Sequence, residues 1–317
     1  MNNIIISIII ATRNRPAVLW QTVQHASKAI HGKAAEIIVV NDGELMEVPE
    51  EFANNIQFLH NDHKGVSAAR NLGAVNAHGN ILFIIDDDMW INSEAIDWIQ
   101  QHFSIHLNDR SVYNLNWRYP DTLSEKLSKT KIGRYLLASR YHTMWGRMCL
   151  PGAAPVSGLF PYNAIASGSL VISKKLFDEL DGYNTNISFQ GEDIDLSNRI
   201  KAANINVFAV FNVTLFHNQQ DRLTIQGHLE RVKNGALSEY TAAKTGFIEP
   251  ANNARYTGSK KYFFEGFRIL TQAWKLLYNL TPNNSLFASF SNKLIGLLSG
   301  LERYKQWRKT FISKRKT

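Results

Sequence analysis

The sequence contains one cysteine, Cys149, in 317 residues. An internal disulfide is therefore impossible, and a reducing cytoplasm is the expected compartment. No uninterrupted apolar run approaches the roughly 20 residues that cross a bilayer. The run from Ile4 to Ile10 has no basic segment before it and is closed by Arg13 and Arg15, so it reads as a strand rather than a signal peptide. Glycine is missing from Ala11 to Pro16, which argues against the Gly-rich phosphate loop of a nucleotidyltransferase. Acids are scarce at the C-terminal end, where residues 255 to 317 carry 13 Lys or Arg but only Glu265 and Glu302. The other 254 residues carry 22 basic and 25 acidic side chains, so the net charge of +8 belongs to the tail. This distribution speaks against a nucleic-acid groove across the main body and for one attached surface with an anionic partner.

The hydrophobic fraction, 44%, is that of a soluble globular protein. Ile4 to Ala11 and Glu36 to Val40 read as strands covered on both faces, Ile56 to Leu59 as a short third strand and Ile81 to Ile85 as a fourth. Between them Ala17 to Ala29 and Ser67 to Ala77 suit helices, the second with Ser67 as its expected cap. This alternation predicts an α/β fold: a mostly parallel central sheet with helices on both faces. Sites in such sheets form where strands end at the carboxyl edge.

The acidic residues gather at that edge. Asn41-Asp42-Gly43 follows the second strand and Asp86-Asp87-Asp88 the fourth. Three adjacent carboxylates with no basic neighbour in sequence repel one another unless a cation neutralises them, and an oxygen-loving ion such as Mg²⁺ or Mn²⁺ does so. A solvated turn or helix N-terminus is the bland alternative. Farther on, Gly191-Glu192-Asp193-Ile194-Asp195 opens a helix-like segment in which Arg199 is too far along to pair with Asp193, so Asp193 suits a general base.

Five stretches in this order resemble family 2 glycosyltransferases with the GT-A fold: SIIIATRNRP from Ser7, EIIVVNDG from Glu36, GVSAARNLG from Gly65, GNILFIIDDD from Gly79 and GEDIDL from Gly191. The resemblance covers residues 4 to 220 and implies inverting transfer of a sugar from a nucleotide-diphosphate donor, a UDP-sugar, to a hydroxyl. It implies that Asp42 binds the uracil and that Thr12, Arg13 and Asn14 lie in the loop walling the base. The resemblance also implies that Arg70 braces the nucleotide side, that Asp88 is the direct metal ligand with Asp86 facing the ribose or a metal-bound water and Asp87 in support, and that Asp193 is the base beside Glu192. Arg13 stands where the family often has an aromatic residue, which opens a pyrophosphate contact, and Asn41 stands where an acid is common. His217, after the strand-like Val207 to Val213, completes the metal site or is structural. Gly168 to Phe177 resembles the acceptor-side strand and helix.

Residues 105 to 165 lack a family signature. Trp117, Arg118, Tyr135, Arg140, Tyr141, Trp145 and Arg147 suit an acceptor loop or ordinary packing. In the tail, Phe263, Phe267, Leu270, Trp274 and Leu277 form one helical stripe. After a break at Thr281-Pro282, the residues Leu294, Leu297, Leu298, Leu301 and Tyr304 form another, and basic residues including Lys314, Arg315 and Lys316 close the chain. Apolar stripes with basic flanks and Trp307 suit helices lying on an anionic membrane, or a helical hairpin packed on the catalytic domain. The expected division is a catalytic domain at 1–225 and a basic amphipathic tail at 226–317, peripheral on the inner face of the cell membrane. The expected partners are a nucleotide-sugar donor and a glycan or lipid-linked acceptor in cell-surface polysaccharide synthesis, with no nucleic acid. The rivals are a catalytically inactive scaffold of the same fold and a nucleotide-sugar-forming nucleotidyltransferase.

Overall fold

A computed structural model describes residues 5–62, 64–148, 150–187, 191–220, 224–244 and 256–312. Lys314, Arg315 and Lys316 lie outside the described residues. The chain forms two compact units, Met1–Arg118 with Cys149–Asn218, and Tyr119–Met148 with Gln219–Thr317.

In the first unit the chain runs β1 (Ile6–Thr12), α1 (Pro16–Ala29), β2 (Ala35–Asn41), α2 (Glu50–Ala53), β3 (Gln57–His60), α3 (Val66–Val75), β4 (Ile81–Asp86), β5 (Met89–Trp90), α4 (Ser93–His106) and β6 (Ser111–Arg118). The second unit takes α5 (Asp121–Ser128), α6 (Lys131–Ala138) and α7 (Met144–Arg147). The first resumes with β7 (Leu159–Tyr162), β8 (Ser169–Ser173), α8 (Lys174–Glu179), α9 (Glu192–Ala202) and β9 (Asn206–His217). Four helices of the second unit follow: α10 (Ile225–Lys244), α11 (Gly258–Ile269), α12 (Thr271–Leu280) and α13 (Ala288–Phe311).

The sheet order is β3-β2-β1-β4-β8-β6-β9-β5, with β7 paired to β9. The ladders β3-β2-β1-β4 and β6-β9 are parallel, and they supply most of the registered pairs. β8 enters antiparallel between β4 and β6, and β5 and β7 lie antiparallel on β9. The isoleucines of β1 and the apolar side chains of β4 are fully buried on both faces, as their β-branched and aromatic runs predict. Each such side chain contributes about 1.5–3 kcal/mol relative to exposure. Register then sets the site: Thr12 pairs with Asn41 and Ala11 with Asp86, so the carboxyl ends of β1, β2 and β4 finish at one level.

Helix α3 corrects one expectation. Its N-cap is Gly65, at φ 95°, and Ser67 instead donates its hydroxyl to the Ile187 carbonyl. The left-handed backbone at Gly65 is open to glycine at little cost, and it aims the Gly65 N–H at Asp42.

The second unit joins two stretches of the chain. Residues 119–148 contribute α5, α6 and α7, which group with the helices that follow Gln219. Lys131 is one reason. Its ammonium donates to the carbonyls of Tyr278 and Thr281 at 2.6 and 2.9 Å, where a cation satisfies the orphan acceptors at the end of α12. Tyr135 packs edge-on against His228, Trp145 is buried, and Arg147 lies over the Tyr141 ring. The tail's first stripe is broken at Leu270 into α11 and α12, though Phe263, Phe267 and Trp274 still stack in series. The second stripe points inward: Leu294, Leu298, Leu301 and Tyr304 are buried, and Trp307 packs on the Tyr256–Tyr304 aromatic cluster. Among the described residues no helix is long and apolar enough to cross a membrane.

Candidate active site

Strand register and short loops gather the acids around two arginines. Asp42, buried after β2, accepts from Asn61 Nδ2 at 2.7 Å and Gly65 N at 2.9 Å through Oδ1, while its Oδ2 lies 3.8 Å from the largely exposed Arg13 guanidinium. The loop after β1 folds against it. Asn14, at φ 56°, accepts the Glu44 N–H at 2.8 Å, and Asn41 Oδ1 accepts the Gly43 N–H. The hydroxyl of Thr12 is used internally, donating to Asp87 Oδ2 at 2.7 Å.

The three consecutive acids have different surroundings. Asp87 turns inward, held by Thr12 and by a short ion pair with Arg15. Burial pushes its carboxyl up to about 7 against the pull of Arg15, with Asp88 adding to the rise. Asp88 is 1% exposed and is shared between Arg15 Nη2 at 3.0 Å and His217 Nε2 at 2.9 Å. Asp86, the most exposed of the three, pairs with Arg70 at 3.0 Å. The pairing of Met89 with His217 in the β5–β9 ladder carries the imidazole to the acids, and Trp117 packs edge-on against its ring at 4.8 Å. Trp117 therefore orients a site residue from behind.

Asp86, Asp88 and His217 each offer a ligand atom, and these atoms lie within 4.8 Å of one another. Two carboxylates and an imidazole form a donor set for a divalent ion, so the residues fit the cofactor that the acid run implies. The structure brings the His217 side chain to the acids.

Arg70 ties this cluster to the second one. Its buried guanidinium donates to Asp86 and, at 2.9 Å, to Glu192 at the start of α9. It also lies 5.3 Å from the Tyr183 ring centroid. Asp193 has neutral direct partners: Ser167 gives it both its backbone N–H, at 3.1 Å, and its hydroxyl. Tyr183 in turn donates to Ser167 Oγ at 2.7 Å. Burial, then the Glu192 charge, raises the Asp193 carboxyl to about 7, with Arg70 opposing. Arg199 pairs with Asp195 at 2.8 Å, one turn earlier on α9. Gly168 closes the arrangement: a Cβ there would meet Asp86 Oδ2 at 2.7 Å, so a side chain would displace the carboxylate. The consecutive residues Ser167 and Gly168 thus hold Asp193 and Asp86 on either side of one turn.

Sequence reasoning missed Arg15 and Ser167. Arg15 stands at the N-cap of α1 before Pro16, where proline at the first helical position signalled the helix start but nothing marked the arginine's distant partners. Ser167 lies between recognisable segments, with no local pattern of its own.

A sheet of this order, with acids at one edge and three side chains that could hold a cation, fits a GT-A fold. The comparisons agree. Residues 7–154 match the family described as Glycosyl transferase family 2, and residues 152–221 match the N-terminal domain of galactosyltransferase. Just under half of the chain thus resembles glycosyl transferase family 2, and the stretch that follows it resembles a galactosyltransferase domain.

Among curated proteins, glycosyltransferase GlyA of Streptococcus pneumoniae is 32% identical over 88 residues, 26% of this chain and 13% of that protein. EpsH of Bacillus subtilis, named as a glycosyltransferase, is 37% identical over 65 residues, 19% of each chain. The matched part therefore spans about a fifth or less of these relatives. The crystal structure of GalNAc-T7 with UDP, GalNAc and Mn²⁺ shares the fold at a TM-score of 0.50 and 14% identity, over 98% of this chain and 57% of that one.

Proposed function

We propose that this enzyme transfers a sugar, with inversion, from a UDP-sugar to a hydroxyl of a glycan or lipid-linked acceptor in cell-surface polysaccharide synthesis. The observation that carries the reading is the turn at Ser167-Gly168, where Ser167 bonds the Asp193 carboxylate and the next residue, Gly168, lies against Asp86. A base and a leaving-group site on either side of one turn suit in-line attack. The GalNAc-T7 structure with UDP and Mn²⁺ lends support to the donor class.

In this reading Asp42 Oδ2 and the loop of Thr12, Arg13 and Asn14 receive the uracil, and Arg13 reaches the base or pyrophosphate. Asp86, Asp88 and His217 would hold a Mn²⁺ or Mg²⁺ ion, which would supply positive charge beside the departing diphosphate. Asp87 and Thr12 keep the strand end in place, while Arg15 neutralises the acids. Asp193 accepts the proton of the acceptor hydroxyl as its oxygen attacks the anomeric carbon and the bond to the diphosphate breaks. Its raised pKa leaves it basic enough to do so near neutral pH. Ser167 and Tyr183 orient the carboxylate, and Glu192 with Arg70 fixes the first turn of α9. The product acquires the opposite anomeric configuration with no covalent enzyme intermediate.

The helical unit supports peripheral attachment to the inner face of the cell membrane. Ile269 and Leu280 are 78% and 71% exposed, and Leu270 and Leu276 also face out, on helices close to many basic residues. Such a surface suits an anionic bilayer.

A thermal-shift panel of UDP-, GDP-, dTDP- and CMP-sugars, with Mn²⁺ and with chelator, tests the donor site. The reading predicts a UDP-selective, metal-dependent shift that Asp88→Ala removes. A ligand at one hundred times its Kd stabilises by about 2.7 kcal/mol, enough to resolve. No shift with any donor would return weight to an inactive scaffold.

A further inference from the structure

The helical unit holds a cavity of about 980 Å³ that is remote in sequence from every acid of the active site. Helices α10, α12 and α13 and the end of α11 line it. Its walls carry Lys233, Arg268, Lys275, Lys305, Arg308 and Lys309 against only Glu230 and Glu302. The two acids are met by Lys233 at 2.7 Å and Lys305 at 3.0 Å, and Arg268 and Arg308 share Glu265 at 2.8 and 3.5 Å. Lys275 has no ion-pair partner among the described residues, and solvent-exposed pairs of the kind made by Lys233 are weak enough to be surrendered to an incoming anion.

A second observation marks the interior. Gln306 lines the cavity with only 4% of its surface exposed. Its amide N–H supplies a neutral donor among the cationic walls. The lining is also partly apolar: Leu229, Ile269 and Ile312 belong to it, and Ile269 projects into solvent beside the exposed Leu270. The break between α11 and α12 produces this mouth, because it puts Arg268 and Ile269 on one side of Leu270 and Thr271 and Gln272 on the other. Cationic walls, a buried amide and an apolar lip match a molecule with an anionic head and a hydrocarbon body.

We propose that this cavity binds the phosphate headgroup of an anionic membrane lipid. The proposal rests on the membrane-surface reading above and sharpens it from diffuse attraction to a defined headgroup site. The phosphate oxygens accept from Gln306 and from Lys275, Lys305 and Lys309, and the acyl chains leave past Ile269 into the bilayer.

The test uses the full chain, Gln306→Glu and Lys275→Glu. Gln306→Glu is nearly isosteric and puts a negative charge at the buried end; Lys275→Glu reverses an exposed charge with little risk to folding. Unchanged melting temperatures confirm that each variant is folded. Two probes are compared: vesicles with and without phosphatidylglycerol in phosphatidylcholine, read by co-sedimentation, and soluble dihexanoyl phosphatidylglycerol, read by calorimetry, with inorganic phosphate as competitor. The proposal predicts sedimentation only with the anionic vesicles and at least a fivefold loss in both variants. It also predicts saturable binding of the soluble lipid that Gln306→Glu removes and inorganic phosphate competes for only weakly. Vesicle binding that is unchanged in Gln306→Glu, together with no soluble-lipid binding, would overturn the headgroup site while leaving the membrane reading standing. Saturable binding of the soluble lipid without vesicle binding would support the cavity and overturn the membrane reading. Equal binding of inorganic phosphate would overturn the choice of a lipid.

Discussion

Two carboxylate clusters, one around Asp87 and Asp88 and one at Glu192 and Asp193, are balanced in different ways. Asp87 and Asp88 face the guanidinium of Arg15, and Asp88 also meets His217. Asp193 is held by the N–H and hydroxyl of Ser167, while the neighbouring Arg70 is spent on Glu192 and Asp86. The first arrangement holds negative charge ready for a cation. The second keeps a carboxylate poised to exchange a proton, because neutral donors offset burial only in part. On the proposed function, one chain would thus derive two chemistries from the same residue type by the partner each meets.

Removing the poised carboxylate is expected to have the largest effect. Asp193→Asn keeps an acceptor for Ser167, and turnover should fall about 10²–10⁴-fold while metal-dependent donor binding persists. Its stability should move the other way. The folded carboxyl is raised from 3.8 to about 7, so its favourable contribution is complete below the lower value and is lost as pH rises through the upper one. The melting advantage of Asp193→Asn over wild type should therefore grow between pH 4 and pH 7, a trend that calorimetry at several pH values would check.

Next comes the cation-balanced cluster. Arg15→Ala leaves Asp87 and Asp88 without their guanidinium and should cost about 2–4 kcal/mol in denaturant unfolding, at the lower side of the range for broken buried pairs because Arg15 is partly exposed. Added Mn²⁺ should restore more stability to this variant than to wild type, since it supplies the missing charge. Equal stabilisation of the two proteins would mean that Arg15 and the ion act at separate places.

A smaller effect is expected at Ser167. Its hydrogen bond lowers the Asp193 carboxyl, so Ser167→Ala should raise it further. Wild-type turnover should climb with pH through about 7 as the base ionises, and the variant's acidic limb should lie at higher pH with its plateau less affected. An unmoved limb would show that another group limits the profile.

These contrasts explain what the sequence could and could not reveal. β1, β2 and β4 were legible because each is a continuous apolar run that ends in a polar cluster at one sheet edge. Their acids could be read as a site because adjacent like charges demand a balancing partner. The identity of that partner was hidden, since Arg15 meets Asp87 across 72 residues and Arg70 meets Glu192 across 122. The insertion of β8 antiparallel between β4 and β6 was hidden for the same reason: pairing is non-local, and an apolar run does not state its direction. In the tail the amphipathic stripes were visible but not what they face. The stripe of α13 packs into an aromatic core, whereas α11 and α12 leave Tyr262, Ile269 and Leu280 in solvent.

The most direct test of the account separates binding from chemistry in one experiment. Metal-dependent UDP binding and UDP-sugar turnover, with hydrolysis counted when no acceptor is supplied, would be measured side by side for wild type, Asp88→Ala and Asp193→Asn. The account predicts that Asp88→Ala loses both, while Asp193→Asn binds UDP as tightly as wild type and turns over at least a hundredfold more slowly. Wild-type turnover in Asp193→Asn, or undiminished metal-dependent UDP binding in Asp88→Ala, would contradict it.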